Sequence, residues 1–332
     1  MIGLPDSLSP PQPMALARPV ESIPAAGALP GGCLYEPKWD GFRAGVYTGE
    51  LGTQIWSRNA RDLTGRFPDL VEAVRSQLPP GYVLDAEAVI WSGERTDFAA
   101  LQARMSAGRR TLPDMVRRAP ASLAVFDLLA VAGRDIRDLP LHIRRTLLEE
   151  LAADWEPPLN LCPFTADRDT AEQWFTDLPA AGIEGLVIKG AGQPYRGGER
   201  QWLKIRHRNP VDVVCAAVLG TRARPAALIL GLPSRGRLRI VGRTAPLKKD
   251  AAVRAGRILE PAGENHPWPE TISPRILDRF TENKDPVRLV RVAPVTVEVS
   301  ADTAFENGSF RHPVRFLRLR PDLDPVGVTD PS

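Results

Sequence analysis

Eight consecutive residues carry the densest reactive chemistry in this chain: Glu36-Pro37-Lys38-Trp39-Asp40-Gly41-Phe42-Arg43. A lysine amine that has lost its proton is a nitrogen nucleophile, whereas an arginine stays protonated and cannot be one. Lys38 is one of only six lysines in a chain with thirty-seven arginines. Usage that skewed reserves lysine for places where an amine or a compact point charge is needed. Gly41 lets the backbone come close to a ligand, and Arg43 offers a fixed cation able to hold a phosphate. The chemistry that fits is a lysine nucleophile working beside a bound anion. A surface turn with an ordinary salt bridge is the bland alternative.

Further along, Glu87 stands in the middle of an apolar run, Tyr82–Trp91. An unpaired carboxylate there would be costly, so it needs a partner or a task. Lys189 ends the run Ile183–Lys189, and Lys204 lies within Gln201–Arg206. Phe126, in the apolar run Ser122–Val131, is by default a core residue.

The elements that must position these residues follow from periodicity. Residues 1–32, rich in Pro, Ala and Gly, read as an arm or wrapping segment. Short strands are expected at Leu34–Pro37, Arg43–Thr48 and Thr53–Ser57, then a helix over Pro68–Leu78 with Leu70, Val71, Val74 and Leu78 as its apolar stripe. Tyr82–Trp91 and Ser122–Val131 read as buried strands, and Phe98–Met105, Arg144–Ala153 and Thr170–Ala181 as helices, Thr170 being the expected N-cap. Ile183–Lys189 and Gln201–Arg206 are strands again. The pattern is mixed α/β with meandering strands. Beyond Arg208, strand-like runs at Val211–Leu219, Ala226–Gly231, Leu238–Val241, Arg288–Val292, Val295–Ser300 and Arg315–Arg320 are interrupted by one helix, Lys249–Leu259. A small β-barrel fits this string; a sandwich would give a similar one.

In order along the chain, the residues resemble the signatures of the covalent nucleotidyltransferase superfamily, specifically the ATP-dependent DNA ligases. Lys38-Trp39-Asp40-Gly41 resembles the first signature, Ser57-Arg58-Asn59 the second and Leu84-Asp85-Ala86-Glu87-Ala88-Val89 the third. Glu184-Gly185-Leu186-Val187-Ile188-Lys189 matches the fourth and Trp202-Leu203-Lys204-Ile205-Arg206 resembles the fifth. Each alone is weak; the shared order makes the set specific. The resemblance spans about Leu34 to Asp322 and is nearest to the small bacterial ligase C type, related to the ligase module of ligase D. It implies an α+β fold in two domains: an adenylation domain with its N-terminal arm at 1–207, and an OB-fold barrel that binds DNA at 208–332.

The resemblance also implies roles. Lys38 would form a lysyl-AMP phosphoramidate with ATP. Glu36 would accept from the adenine amino group, and Phe126 would stack on the ring. Arg43 and Glu87 would hold the ribose side, while Arg58, Lys189, Arg200, Lys204 and Arg206 line the nucleotide and its phosphates, Lys204 on the α-phosphate. Glu184, with Glu87, would hold Mg²⁺ or Mn²⁺. Two departures stand out. Arg206 replaces the usual second Lys of the fifth signature, and Leu323 replaces the Lys that ends the last one. In that last signature Arg311, Arg315 and Arg320 are the candidates for self-adenylation.

Charge supports a polyanionic partner. The net charge is only +3, but Arg196–Arg257 holds fifteen Lys/Arg against Glu199, Asp212 and Asp250. The expected partner is nicked duplex DNA, with ribonucleotides at the ends and a separate repair polymerase as further candidates, and the expected working form is a monomer. No run of eighteen apolar residues occurs and the three cysteines are widely spaced, so neither a membrane nor a disulfide framework is expected, and the cytoplasmic nucleoid is the expected location. The rival readings are an RNA ligase or capping-type nucleotidyltransferase, and a catalytically silent DNA-end binder.

Overall fold

Two sheets that face each other build the first of two units, Met1–His207. The computed structural model describes residues 3–50, 52–234, 236–277, 284–302, 305–306, 308–310 and 312–329. In chain order this unit contains β1 (Ala17–Pro19), β2 (Cys33–Pro37), β3 (Phe42–Gly49), β4 (Gly52–Ser57), α1 (Pro68–Gln77), β5 (Tyr82–Ser92), α2 (Phe98–Ser106), α3 (Leu112–Arg118), β6 (Ala121–Val131), α4 (Leu141–Leu151), β7 (Leu159–Leu161), α5 (Arg168–Asp177), β8 (Gly185–Gly190) and β9 (Trp202–Arg206). The larger sheet runs β4-β3-β5-β6, all antiparallel, with β7 added parallel to β6. The smaller runs β1-β9-β8-β2.

Period-two alternation decides what each face does. On the larger sheet Ala44, Val46, Leu84, Ala86, Ala88 and Val125 pack against Leu70 and Val74 of α1, Leu101 of α2 and Leu148 of α4. Each large aliphatic side chain buried in that way contributes roughly 1.5–3 kcal/mol. The opposite face, with Tyr47, Val83, Phe126 and Leu129, meets Trp202 and Tyr195 and also Leu8 and Ala15 of the arm. On the smaller sheet Tyr35, Leu186, Ile188, Leu203 and Ile205 are covered by Ala171, Trp174 and Phe175 of α5. The intervening positions, Glu36, Lys189 and Lys204, therefore belong to the opposite face of that sheet.

Three local expectations are corrected. The arm is partly a strand: Ala17–Pro19 pairs in parallel with Trp202–Lys204, satisfying an edge that would otherwise stand open. Thr170 does not cap α5; the Asp167 carboxylate does, accepting from the Thr170 N–H at 2.9 Å. That helix ends at Asp177 and tightens into a 3-10 turn over Leu178–Ala181. Helix α3 has no buried residue, hence no apolar stripe to announce it.

The second unit, Arg208–Ser332, contains β10 (Arg208–Thr221), β11 (Arg224–Ser234), β12 (Arg237–Arg243), α6 (Lys249–Ile258), β13 (Val290–Asp302) and β14 (Arg315–Leu319). Its strand order is β12-β11-β10-β13-β14. A parallel bridge, Thr244 to Val314, joins the two ends, with the Ala245 N–H donating to the Val314 carbonyl at 2.8 Å. The sheet thus closes on itself as a five-stranded barrel with a helix between its third and fourth strands, the OB arrangement rather than a sandwich. The two strands expected at Arg288–Val292 and Val295–Ser300 are largely one, β13, which keeps pairing with β10 past Pro294 because the register shifts there, between Cys215 and Ala217 of the partner. No helix among the described residues is long and apolar enough to cross a membrane.

Candidate active site

Lys38 follows directly on β2 and is clamped by backbone bonds from both sides. Its N–H donates to the Gly185 carbonyl at 2.8 Å, and the Glu184 N–H donates to the Lys38 carbonyl at 2.9 Å. The His207 N–H in turn donates to the Glu184 carbonyl at 2.8 Å. The first, fourth and fifth signatures are thereby tied together at one end of the small sheet. Lys38 Nζ forms an ion pair with Glu184, whose side chain is 2% exposed, and Arg206 Nη2 approaches the same carboxylate at 3.3 Å. Gly41 passes so close to the Ala88 carbonyl and the Glu87 side chain that a Cβ would collide with both. That contact seats the turn after Lys38 on β5, where Arg43 and Glu87 are cross-strand neighbours.

The electrostatics follow from this convergence. Burial pushes the half-buried Glu87 carboxyl up to about 7; Lys38 and Arg43 oppose the shift, and Glu184 and Asp40 add to it. Lys204 is driven down to about 8 by burial first, then by the charges of Arg206, Lys38 and Arg58, with Glu184 opposing. Three cations thus act on Lys204, and Glu184 is the carboxylate that pairs with two of them, Lys38 and Arg206.

On the same face of the small sheet, Lys189 Nζ pairs with Glu36 Oε2 at 2.7 Å and donates to the Phe126 carbonyl at 3.2 Å. Its ammonium lies 4.4 Å from the ring centroids of both Phe126 and Trp202. Phe126 itself is a core residue, 8% exposed. Its strand is pinned by the buried bidentate pair Arg144–Asp127, at 2.8 and 2.9 Å, which holds the Asp127 carboxyl below its usual range despite burial. Arg43 grips Asp85 through Nε and Nη2 at 2.8 and 2.5 Å. Cys162 accepts from the Trp39 indole N–H at 3.2 Å, and burial pushes its thiol up to about 12, so it offers no competing nucleophile.

The structure therefore brings Lys38, Glu36, Arg43, Glu87, Phe126, Glu184, Lys189, Lys204 and Arg206 together, with Arg58, exposed in the turn after β4, acting on Lys204. Arg200 stands exposed on the connection before β9, and among the described residues no hydrogen bond or ion pair ties its side chain to the cluster. Arg315 and Arg320 belong to the second unit, where Arg320 pairs with Asp322 at 2.9 Å; Arg311 lies outside the described residues. Sequence reasoning missed Asp85, Tyr195 and Trp202. Asp85 was within reach, since it is two positions from Glu87 and must share its face. Glu184 adds to the cost of ionising Glu87, and the hard oxygen donors of the two carboxylates suit Mg²⁺ or Mn²⁺. No group of three metal-ligating side chains occurs among the described residues, so phosphate and water oxygens would complete the shell.

A lysine amine among phosphate-ready cations, on a two-sheet unit followed by an OB barrel, is the layout of a covalent nucleotidyltransferase. The comparisons narrow it. The family profile described as ATP dependent DNA ligase domain matches residues 13–206. DNA ligase C of Mycobacterium tuberculosis is 33% identical over 95% of this chain and 92% of its own length. DNA ligase C2 of Mycolicibacterium smegmatis is 32% identical over 91% and 90%. A solved Lig E DNA ligase shares the fold at a TM-score of 0.54 and 16% identity, covering 93% of this chain and 99% of its own. This chain belongs to the ATP-dependent DNA ligase family.

Proposed function

We propose that this ligase seals nicks in duplex DNA through AMP carried on Lys38. The observation that carries the reading is the amine of Lys38 held by Glu184 within the field of Lys204, Arg206 and Arg58. Lys38 Nζ, as the neutral amine, attacks the α-phosphorus of ATP; a P–N bond forms, the bond to the departing pyrophosphate breaks, and the amine proton is released to solvent. Lys204 and Arg58 stabilise the phosphate charge, Arg206 keeps Glu184 oriented, and Arg43 with Glu87 holds the ribose while Glu36 receives the adenine amino group beside Phe126. Glu184 and Glu87 would hold Mg²⁺ or Mn²⁺, which when bound supplies charge neutralisation at the phosphates. Transfer of AMP to the 5′-phosphate of the nick breaks the P–N bond and forms a 5′–5′ anhydride. The 3′-hydroxyl then displaces AMP.

The work is repair, on nicks that include ribonucleotide ends, alongside a separate polymerase and at the nucleoid. One site per chain suffices for a monomer. The domain roles are adenylation for 1–207 and DNA binding for 208–332. The test mixes wild type and Lys38→Ala with α-³²P-ATP and Mg²⁺, then adds a nicked duplex. Label on the wild type alone, chased into AMP and sealed strand, is the expected result. A lysyl-GMP adduct from GTP, or label that never chases into sealed DNA, would overturn the reading.

A further inference from the structure

Arg43 is held by more than its ion pair. While Nε and Nη2 bind Asp85, Nη1 donates to the carbonyl of Ala15 in the arm at 2.8 Å. Tyr195 closes the circuit: its hydroxyl donates to Asp85 Oδ2 at 2.7 Å and accepts from the Ala15 N–H at 3.0 Å. Four groups from the arm, β3, β5 and the connection between β8 and β9 thus form one hydrogen-bonded ring. Asp85 and Tyr195 are buried, at 1% and 2% exposure, whereas the Arg43 side chain keeps 16%. A guanidinium has five N–H donors, and three are used here. The remaining two are aimed by the ring and by the faces of Phe126 and Trp202, whose centroids lie 5.2 and 4.9 Å away. Burial and the Asp85 charge push the Tyr195 hydroxyl well above the usual tyrosine range, so it stays a donor throughout the working pH.

The arm is fastened to the same connection that carries Tyr195. The Leu16 N–H donates to the Glu199 carbonyl at 2.8 Å, the Gly198 N–H to Met14 at 2.9 Å and the Trp202 N–H to Leu16 at 3.2 Å. We propose that Tyr195 and the arm backbone at Ala15 are positioning groups for Arg43, so that docking of the arm and binding of the nucleotide are one linked equilibrium. The inference rests on the reading of Arg43 as the ribose-side contact. Linkage is reciprocal: an arm that aims Arg43 must itself be stabilised when the nucleotide binds. Loss of the tyrosine hydroxyl would leave the Ala15 N–H unpaired and Asp85 with one anchor fewer. Arg43 would keep its charge and lose its aim.

A double-mutant cycle on the full chain tests this, with kcat/KM of lysyl-AMP formation as readout. Tyr195→Phe is expected to lower kcat/KM by about tenfold, the worth of one lost hydrogen bond, mostly through KM for ATP. In an Arg43→Ala background the same change should cost less than about twofold. Equal losses in both backgrounds would overturn the proposal, because Tyr195 would then act elsewhere. An unchanged kcat/KM for Arg43→Ala alone would instead remove the ribose-side reading, and the proposal with it. A second measurement needs no variant: amide exchange at Ala15 in the wild type should slow several-fold when a non-hydrolysable ATP analogue binds. Unaltered exchange with the analogue bound would overturn the linkage.

Discussion

Glu36 and Lys189 pair across adjacent strands inside the protein, their side chains only 4% and 1% exposed. Burial pushes the Glu36 carboxyl up and Lys189 pulls it back, leaving it raised overall. The carboxylate therefore depends chiefly on that amine for its charge, with Arg145 a lesser help. Breaking one side of a buried pair strands the other, so Lys189→Met should destabilise the chain by about 3–5 kcal/mol in urea unfolding. Adding Glu36→Gln should recover part of the loss, because no lone charge then remains. A single-variant cost under about 1 kcal/mol would mean that Glu36 is not held as an ion.

Gly41 has a separate role, in distance rather than charge. Its Cα lies against the Ala88 carbonyl and the Glu87 side chain, so a methyl group must push the turn after Lys38 off β5. A displacement of that order would draw the amine away from Glu184 and from the phosphate that the proposed reaction places beside it. Gly41→Ala should slow adenylation about 10²-fold, with circular dichroism unchanged because the turn lies outside the packed core. Adenylation at the wild-type rate would show that the close approach has no catalytic consequence.

Much of this arrangement was legible from residue order, and the misses share a cause. Glu184 and Lys204 are picked out by the order of the signatures they belong to, while Lys38 and Glu87 stand out because one precedes a glycine turn and the other sits in an apolar run. Asp85 and Tyr195 do not, because their meaning lies in partners that the local pattern cannot name: Arg43 is 42 positions from Asp85, and Ala15 is 180 from Tyr195. The arm strand Ala17–Pro19 shows no alternation; it exists because β9 has an edge to fill. Barrel and sandwich were indistinguishable as strings, and the single bridge from Thr244 to Val314 separates them.

The Lys204 ammonium gives a pH signature. With its folded value lowered from 10.5 to about 8, it is about half protonated at pH 8 in the unliganded protein. An arriving phosphate favours the charged form and raises that value again, so binding must draw a proton from solvent. Calorimetry with an ATP analogue that cannot transfer AMP, in buffers of different ionisation enthalpy, should report uptake of up to about half a proton per nucleotide at pH 8. Lys204→Arg, which is always charged, should abolish the uptake. The same shift makes the wild type gain stability as pH rises through the window between about 8 and 10.5, since the unfolded chain there binds more protons. Proton release on binding would place Lys204 away from the phosphates.

Salt dependence distinguishes contact from mere charge. Helix α6 exposes Lys249, Arg254 and Arg257, and Lys248 stands exposed just before it, while Ala252 and Ala255 anchor the helix to the barrel. Each cation that neutralises a DNA phosphate releases condensed counterions, and log K falls with log salt by about 0.9 per contact. The double variant Arg254→Ala/Arg257→Ala should therefore weaken nicked-duplex binding at every sequence and flatten that slope by about 1.8. Its adenylation rate on ATP alone should stay at the wild-type value, because neither residue is among the nucleotide-site or self-adenylation candidates. Weaker binding with an unchanged slope would mean that the loss is not electrostatic; a slope reduced by the full amount would place both guanidinium groups directly on the phosphate backbone.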